Sequence, residues 1–138
     1  MTSQPLWMRA EGAPELGPRQ VIHIDEAPLA VLRDGSTPAI ELRPLVSDAC
    51  DLMVMTFAFP PHYAGVVHSH PQDTVYVVRR GQFIVEGEGT FEVGDMRWVK
   101  ANTPYGPERA GPEGCEVLLI TTGSFPPENG PVADAPTA

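Results

Sequence analysis

The chain has 138 residues, of which 42% are hydrophobic, enough for one domain with a buried core but too few for two of ordinary size. Nine lysines and arginines stand against eighteen acidic residues, which gives a formal net charge of -9. Such a surface repels a phosphate backbone, so the sequence predicts no nucleic-acid partner.

Sixteen prolines and thirteen glycines interrupt the chain without a repeating period, so we expect little helix. No apolar stretch is long enough to cross a bilayer, and residues 1–10 lack the features of a secretory leader. We therefore expect no membrane partner and a cytoplasmic location. Cys50 and Cys115 stand far apart beside strand-like segments, a pattern that favours free thiols over a disulfide.

The predicted elements begin after an N-terminal arm, residues 1–20, which is rich in Pro, Gly and Glu. From there, short runs of β-branched and aromatic residues alternate with turn signals, which is typical of strands. The predicted strands are residues 21–24, 29–32, 39–45, 52–59, 66–70, 74–79, 82–86, 90–93, 97–99 and 116–121. A tail at 123–138 is dominated by Pro, Ala and Gly. So many short strands predict one all-β domain over residues 21–122, a sandwich or a small barrel.

The tripeptide His68-Ser69-His70 gives the strongest functional signal in the sequence. It lies in a segment predicted to be extended, where alternate side chains point the same way, so the two imidazoles share one face. Two histidines on one face supply half of a metal site. We refer to these two residues as the His pair.

The segment from Pro60 to Arg109 resembles the two-motif signature of the cupin superfamily. The first cupin motif is a glycine, five residues, His-x-His, three or four residues, a glutamate, six residues and a glycine. Here His62 stands in the place of the first glycine, and Thr74 in that of the glutamate. Gly81 closes the motif in register.

The second cupin motif is a glycine, five residues, Pro-x-Gly, two residues, a histidine, three residues and an asparagine. In this chain Gly94 opens the motif, residues 100–102 fill the turn, and Tyr105 takes the histidine position. Arg109 takes the asparagine position. The resemblance covers about a third of the chain, and all of its spacings agree without adjustment.

The resemblance implies an all-β fold, namely a double-stranded β-helix or jelly-roll barrel. The His pair would project into the lumen as metal ligands, and Tyr105 would reach it from the opposite wall. Small cupin barrels commonly pair through exposed sheet edges, so the resemblance also implies a homodimer, with the arm or residues 21–45 contributing.

Metal-binding cupins typically use three histidines and one glutamate, and this chain keeps two of those four ligands. Two or three nitrogen ligands with open positions would suit iron, nickel, copper or zinc better than magnesium or calcium. The set could be completed by His62, which has the parity of the His pair, by Gln72 or Asp73, or by Tyr105. Alternatively, the His pair holds no metal and binds a ligand directly.

Two residues are candidates for catalysis. Tyr105 could donate a proton or a hydrogen bond to a developing oxyanion, and His62 is a reserve general base. The candidate substrate-binding residues are Thr74, Tyr76, Gln72 and Trp98. A mostly apolar lining with a few polar groups is typical of a site for a small organic molecule, here an aromatic or keto/enol compound.

Three functions stay open. The first is a metal-dependent enzyme of dioxygenase, isomerase or lyase type that acts on a small organic metabolite. The second is a non-catalytic protein that binds a small molecule in the same pocket, since the glutamate and the second-motif histidine are missing. The third is a metal-free enzyme in which the His pair and Tyr105 carry out acid and base chemistry. Fold-level analogy cannot choose among them.

Overall fold

The computed structural model describes residues 21–32, 40–46 and 51–122. Over these residues the chain forms seven strands and one short 3-10 helix at Ile24–Glu26, so the predicted all-β fold with little helix is confirmed. The strands are β1 (Ala30–Leu32), β2 (Ile40–Pro44), β3 (Leu52–Phe59), β4 (Thr74–Val85), β5 (Gly89–Phe91), β6 (Met96–Val99) and β7 (Glu108–Thr122).

The predicted arm at 1–20, the predicted tail at 123–138 and Cys50 lie outside the described residues. The other cysteine, Cys115, lies on β7, is buried and has a free thiol, which confirms the prediction for that residue. The described part of the chain contains no helix with the length and hydropathy that crossing a membrane requires.

The strands form one antiparallel sheet with the order β1-β2-β3-β7-β4-β5. Strand β4 pairs with β7 along one edge, and its other edge pairs first with β6 and then with β5. The inner face of the sheet is concave, because the rings of Phe59 on β3 and Phe83 on β4 lie 6.2 Å apart across the intervening strand β7. The inner faces enclose a single hydrophobic core that includes Leu42, Met55, Phe83, Val85, Val117 and Leu119.

The turn signal at Gly81 does not end a strand. The sequence predicts separate strands at 74–79 and 82–86, but the structure joins them as β4, with two register shifts against β7. Gly81 has a φ of 68°, and an added Cβ would lie 2.1 Å from the carbonyl oxygen of Gly114. This glycine therefore allows two backbones to approach closely instead of turning the chain.

Three other predicted strands differ from the structure. Residues 21–24 do not form a strand, and the 3-10 helix begins at Ile24. The predicted strand 66–70 is not a continuous strand, and within it His68 forms an isolated bridge with Tyr105. The predicted strand 116–121 is the C-terminal part of β7, which begins at Glu108. Local patterns mark where strands are favoured, but the partner strand decides how far pairing extends.

Candidate functional site

The backbone around the His pair is fixed by pairing with residues 102–105. His68 and Tyr105 exchange both backbone hydrogen bonds, at 3.0 and 2.9 Å, and the amide of Asn102 donates to the carbonyl oxygen of His70 at 2.7 Å. Both histidines are buried, with 8% and 5% of their surface exposed. Their ring centroids lie 4.9 Å apart in an edge-to-face arrangement. The structure therefore brings the two predicted histidines together inside the barrel.

Tyr105 lies on the same wall as the His pair, which corrects the expectation that it reaches the pair from the opposite wall. Residues directly opposite each other in an antiparallel bridge point to the same side. Accordingly, the ring centroid of Tyr105 lies 4.8 Å from that of His68 and 6.0 Å from that of His70. The tyrosine is a direct neighbour of both imidazoles.

Tyr76 completes a cluster of four buried rings. It lies on β4, where Thr74, Tyr76 and Val78 are all buried, as their shared parity predicts. Its hydroxyl forms a hydrogen bond with the hydroxyl of Tyr105. We refer to the His pair together with Tyr76 and Tyr105 as the His–Tyr cluster.

Both phenols of the His–Tyr cluster hold their protons at neutral pH. Burial raises the pKa of Tyr76 well above its ordinary value, and the negative charge of Glu108 acts in the same direction. Burial likewise raises the pKa of Tyr105, and its neighbours Tyr76 and Glu108 act in the same direction. The two hydroxyls carry two protons, and one of these forms the hydrogen bond between them. The other O–H can therefore donate to a ligand oxygen.

Arg97 on β6 brings a positive charge to the His–Tyr cluster. It lies directly opposite Tyr76 in the pairing of β4 with β6, and it is only 7% exposed. Its Cζ lies 4.5 Å from the ring centroid of Tyr105 and 5.3 Å from that of Tyr76. At such distances a guanidinium is attracted to an aromatic face. The cation is therefore held against both phenol rings.

The carboxylate of Glu88 fixes the guanidinium of Arg97. It accepts hydrogen bonds from Nε at 2.7 Å and from Nη2 at 2.6 Å, a bidentate contact that sets the plane of the group. Desolvation acts to lower the pKa of Arg97, but the hydrogen bonds and charge of Glu88 outweigh it, so the net shift of the pKa is upward. Arg97 is therefore a cation within the barrel.

The two ring nitrogens of His68 have different surroundings. Nδ1 lies 2.9 Å from the carbonyl oxygen of Val66, and because a carbonyl oxygen can only accept, Nδ1 carries the hydrogen. Nε2 lies 3.7 Å from a carboxylate oxygen of Glu108, a residue that is 8% exposed. With the hydrogen on Nδ1, Nε2 carries the lone pair that a base requires.

The predicted residues around the start of β4 have separate roles. Thr74 is buried, and its hydroxyl donates to the carbonyl oxygen of Gln72 at 3.2 Å. Oε1 of Gln72 is buried and has no hydrogen-bond partner among the described residues. Asp73 is exposed, and its carboxylate accepts a hydrogen bond from the amide of Ala101 at 2.8 Å. This contact gives Asp73 a structural role in the turn after β6.

His62 and Trp98 do not join the His–Tyr cluster. His62 is exposed in a turn, with a φ of 61°, so the extended geometry on which its parity with the His pair depends is absent. Trp98 is 57% exposed, because the inward-facing residues of β6 are Arg97 and Val99. The structure thus places the reserve base and one expected pocket residue on the surface.

Arg97 and Glu108 are functional candidates that the local pattern does not indicate. The inner face of strand β6 could carry either Met96 and Trp98 or Arg97 and Val99. Hydrophobicity favours the first pair, because both of its residues are apolar. The signal that identifies Arg97 is the register of β6 against β4, which sets it opposite Tyr76. Register cannot be read from one strand alone.

No protein-family model matches the sequence, and no curated protein matches it. Several solved structures do match. RemF, a polyketide cyclase from Streptomyces resistomycificus, has a TM-score of 0.67 at 18% identity over 80% of this chain and 84% of that chain. An acetylacetone dioxygenase-like protein from Methylibium petroleiphilum PM1 has a TM-score of 0.66 at 18% identity over 89% and 88%. An RmlC-like cupin from Shewanella frigidimarina NCIMB 400 has a TM-score of 0.58 at 19% identity over 75% and 90%.

The chain has the cupin fold. The jelly-roll barrel that the two motifs implied is thereby confirmed. At these identities the likeness establishes the architecture of this protein and not its reaction. The reaction has to be argued from the side chains of the His–Tyr cluster.

The side chains of the His–Tyr cluster differ from the metal site that the cupin motifs imply. Thr74 and Tyr105 occupy two of the four ligand positions. Within the described ranges, no three His, Cys, Asp or Glu side chains are arranged to hold a metal ion. The residues present do not fit the four-ligand centre. A transition metal at the His pair stays a prediction, which elemental analysis of protein purified without a histidine tag checks.

Proposed function

We propose that this cupin is an enzyme that binds a small organic carbonyl compound at the His–Tyr cluster and moves a proton on the carbon next to the carbonyl group. The reaction is of isomerase or lyase type. The observation that supports the proposal is that an imidazole, which can act as a base, lies beside a buried hydroxyl that can donate a hydrogen bond. The ring of His68 lies 4.8 Å from that of Tyr105, whose hydroxyl is bonded to that of Tyr76.

His68 supplies the base. Its Nε2 takes a proton from the C–H bond next to the carbonyl group, and the electron pair of that bond forms the C=C bond of an enolate. The carboxylate of Glu108, 3.7 Å from Nε2, stabilises the imidazolium that results. The hydrogen bond from Nδ1 to Val66 holds the ring in place, so the same nitrogen can return the proton to the substrate.

The hydroxyls of Tyr76 and Tyr105 supply the hydrogen-bond donor. As the C–H bond breaks, negative charge develops on the carbonyl oxygen, and a hydrogen-bond donor fixed in a buried site stabilises that charge strongly. Because the pKa values of Tyr76 and Tyr105 are raised by burial, both hydroxyls stay protonated at neutral pH. One O–H is therefore available to the oxygen throughout the reaction.

Two structural neighbours support a carbonyl compound as the ligand by analogy. One is a polyketide cyclase and the other is acetylacetone dioxygenase-like, and polyketides and acetylacetone both contain ketone groups. The rings of the His–Tyr cluster add flat walls, which suit an aromatic or otherwise planar compound.

Hydrogen exchange tests the proposal. The protein is incubated in D₂O with acetophenone, an enolisable aryl ketone, and the loss of the methyl proton signal is followed by NMR. We expect exchange above the buffer rate, and His68→Ala should lower it by about 10²- to 10⁴-fold, the usual contribution of a general base. His23→Ala removes an exposed histidine outside the His–Tyr cluster and is the matched control, with an unchanged rate.

Exchange no faster than in buffer, for acetophenone and for a panel of aryl and cyclic ketones, would overturn the proposal. If the same ketones still raise the Tm, the pocket is a non-catalytic ligand site, the second function that the sequence leaves open. Loss of exchange on adding a chelator, with recovery on adding back a transition metal, would instead assign the activity to a metal held by the His pair.

A further inference from the structure

One nitrogen of the Arg97 guanidinium donates no hydrogen bond to any of the described residues. Nε and Nη2 both donate to Glu88, whereas Nη1 is buried and has no hydrogen-bond partner in the described part of the chain. The three nitrogens of a guanidinium are all bonded to Cζ, and Cζ lies 4.5 Å from the ring centroid of Tyr105. Nη1 is therefore at the His–Tyr cluster. A buried donor without a partner is costly, so it points to a ligand atom that accepts from it.

A second orphaned polar atom lies close in sequence to the His pair. Oε1 of Gln72 is buried and lacks a hydrogen-bond partner among the described residues, and Gln72 follows His70 by two positions. Whichever way the amide is turned, it offers a polar atom with nothing bonded to it. Nη1 of Arg97 is a donor and needs a ligand atom that accepts, so Nη1 is the group that favours a ligand carrying oxygen over a purely apolar one.

The fixed charges around the His–Tyr cluster disfavour an anionic ligand. The single positive charge of Arg97 is neutralised by its bidentate contact with Glu88. Glu108 adds a second carboxylate, 3.7 Å from Nε2 of His68, and the protonated phenols add no charge. A carboxylate ligand would bring a further negative charge into a buried site without a matching cation, which is costly.

We propose that Arg97 selects the ligand, and that its Nη1 donates to the oxygen of a neutral aryl ketone in preference to a carboxylate. Glu88 is a positioning residue, because it holds the guanidinium and cancels its charge. The inference rests on the proposed use of the His–Tyr cluster as a small-molecule site, and it names the class of that molecule.

Acetophenone and benzoate test the preference, because they have nearly the same size and shape and differ by a methyl group in place of a charged oxygen. Binding of each is measured by saturation-transfer NMR at about pH 8, where protonation of histidine adds little positive charge. We expect acetophenone to bind the wild-type protein at least about tenfold more tightly than benzoate. Equal or tighter binding of benzoate, or no binding of acetophenone at its solubility limit, would overturn the inference.

Two variants test the assignment to Arg97. Arg97→Met removes Nη1 but keeps an unbranched apolar side chain, and we expect it to weaken acetophenone binding by about tenfold. Glu88→Gln keeps the guanidinium and removes one negative charge, so benzoate should gain affinity relative to acetophenone. The side chain of Glu88 is 37% exposed, so this variant is expected to fold even where a change at Arg97 is not tolerated. Circular dichroism checks both variants, and wild-type binding by a folded Arg97→Met protein would contradict the assignment.

The outcome for ligand class is separate from the outcome for catalysis. If acetophenone binds with the expected preference but shows no hydrogen exchange, the ligand class stands and the proposed reaction falls. If exchange occurs and depends on His68 but not on Arg97, the reaction stands and the ligand class falls.

Discussion

Tyr105 takes part in three interactions of the site. Its backbone pairs with that of His68, its hydroxyl bonds that of Tyr76, and its ring packs against the guanidinium of Arg97. A change that removes only the hydroxyl separates these roles, because phenylalanine keeps both the backbone pairing and the ring.

Tyr105→Phe should therefore affect activity more than stability. We expect the exchange rate to fall by about 10²-fold, as when one donor to a developing oxyanion is lost. The free energy of unfolding should fall by only about 1 kcal/mol, the usual net value of one hydrogen bond. Tyr63→Phe is the control, because Tyr63 stacks on Phe59 at 4.7 Å and is not part of the His–Tyr cluster. An unchanged exchange rate in Tyr105→Phe would remove the phenol from the mechanism.

Cys115 makes stability depend on pH in the alkaline range. Burial raises the pKa of its thiol from 9.0 to about 12, and the charge of Glu108 acts in the same direction. Between these two values the unfolded chain has lost the thiol proton and the folded chain still holds it. The unfolded state binds fewer protons, so the free energy of unfolding falls as pH rises, by up to about 1.4 kcal/mol per pH unit.

Cys115→Ala should remove this dependence. Between about pH 8 and about pH 10, we expect the wild-type protein to lose about 1.4 kcal/mol more than the variant, measured by urea denaturation under reducing conditions. The buried phenols and Cys50 are present in both proteins, so their contributions cancel. The same pH dependence in both proteins would show that Cys115 ionises equally in the folded and unfolded states.

Single residues were predicted correctly where parity could be counted along unbroken extended backbone. His68, His70 and Tyr76 are examples, because the backbone that carries each of them is extended or paired. The count failed at His62, where a positive φ of 61° turns the chain. It also failed at Trp98, where apolar residues occupy one face of β6 and an arginine the other, and only pairing with β4 decides which face is inside.

At the scale of elements, β7 packs closely against both β4 and β3, and glycines allow this close approach. A Cβ at Gly81 would lie 2.1 Å from the carbonyl oxygen of Gly114, and one at Gly114 would lie 2.6 Å from the carbonyl oxygen of Phe59. The sequence predicts a break between strands at Gly81, because a glycine at a turn and a glycine at a backbone contact look alike without the partner strand.

Gly81→Ala should destabilise the protein strongly. The added methyl group meets backbone that cannot move aside, and the residue also has a positive φ, so we expect a loss of about 3 kcal/mol or more in the free energy of unfolding. Gly87→Ala is the matched control, because Gly87 has a φ of 81° but nothing lies within 4 Å of the added Cβ. It should cost only about 1 kcal/mol, the price of the left-handed conformation. Equal losses in the two variants would mean that the contact with Gly114 is not the cause.

At the scale of the whole molecule, the fold was predictable and the composition of the site only partly so. The spacing between His68, Gly81, Gly94 and Tyr105 matches the cupin motifs, and that match predicted the jelly-roll barrel. The charged residues of the site, Arg97 and Glu108, reach it through pairing between segments far apart in the chain. Such register is a property of the folded sheet and leaves no local pattern.

The outer face of the sheet carries an uncharged strip. Val75 pairs with Trp98, and Val77 with Met96, across β4 and β6. The two valines are half-buried, while Trp98 is 57% and Met96 is 62% exposed. We refer to these four residues as the β6 strip. Two copies of a chain with a net charge of -9 repel each other over most of their surface, so an uncharged strip is where they can approach most easily.

We propose that the protein is a homodimer joined through the β6 strip, an interface different from the arm or residues 21–45 that the resemblance implies. Light scattering at micromolar concentration should give twice the chain mass of 14.9 kDa, and Trp98→Glu should give the chain mass, because symmetry would place two added charges at the interface. Val93→Glu is the control, since Val93 is 62% exposed but lies outside the strip, and it should stay dimeric. A wild-type monomer would exclude the dimer, and a dimer that survives Trp98→Glu would place the interface on another surface. The acetophenone exchange rate should be the same in the Trp98→Glu monomer, because the His–Tyr cluster is built from residues of one chain.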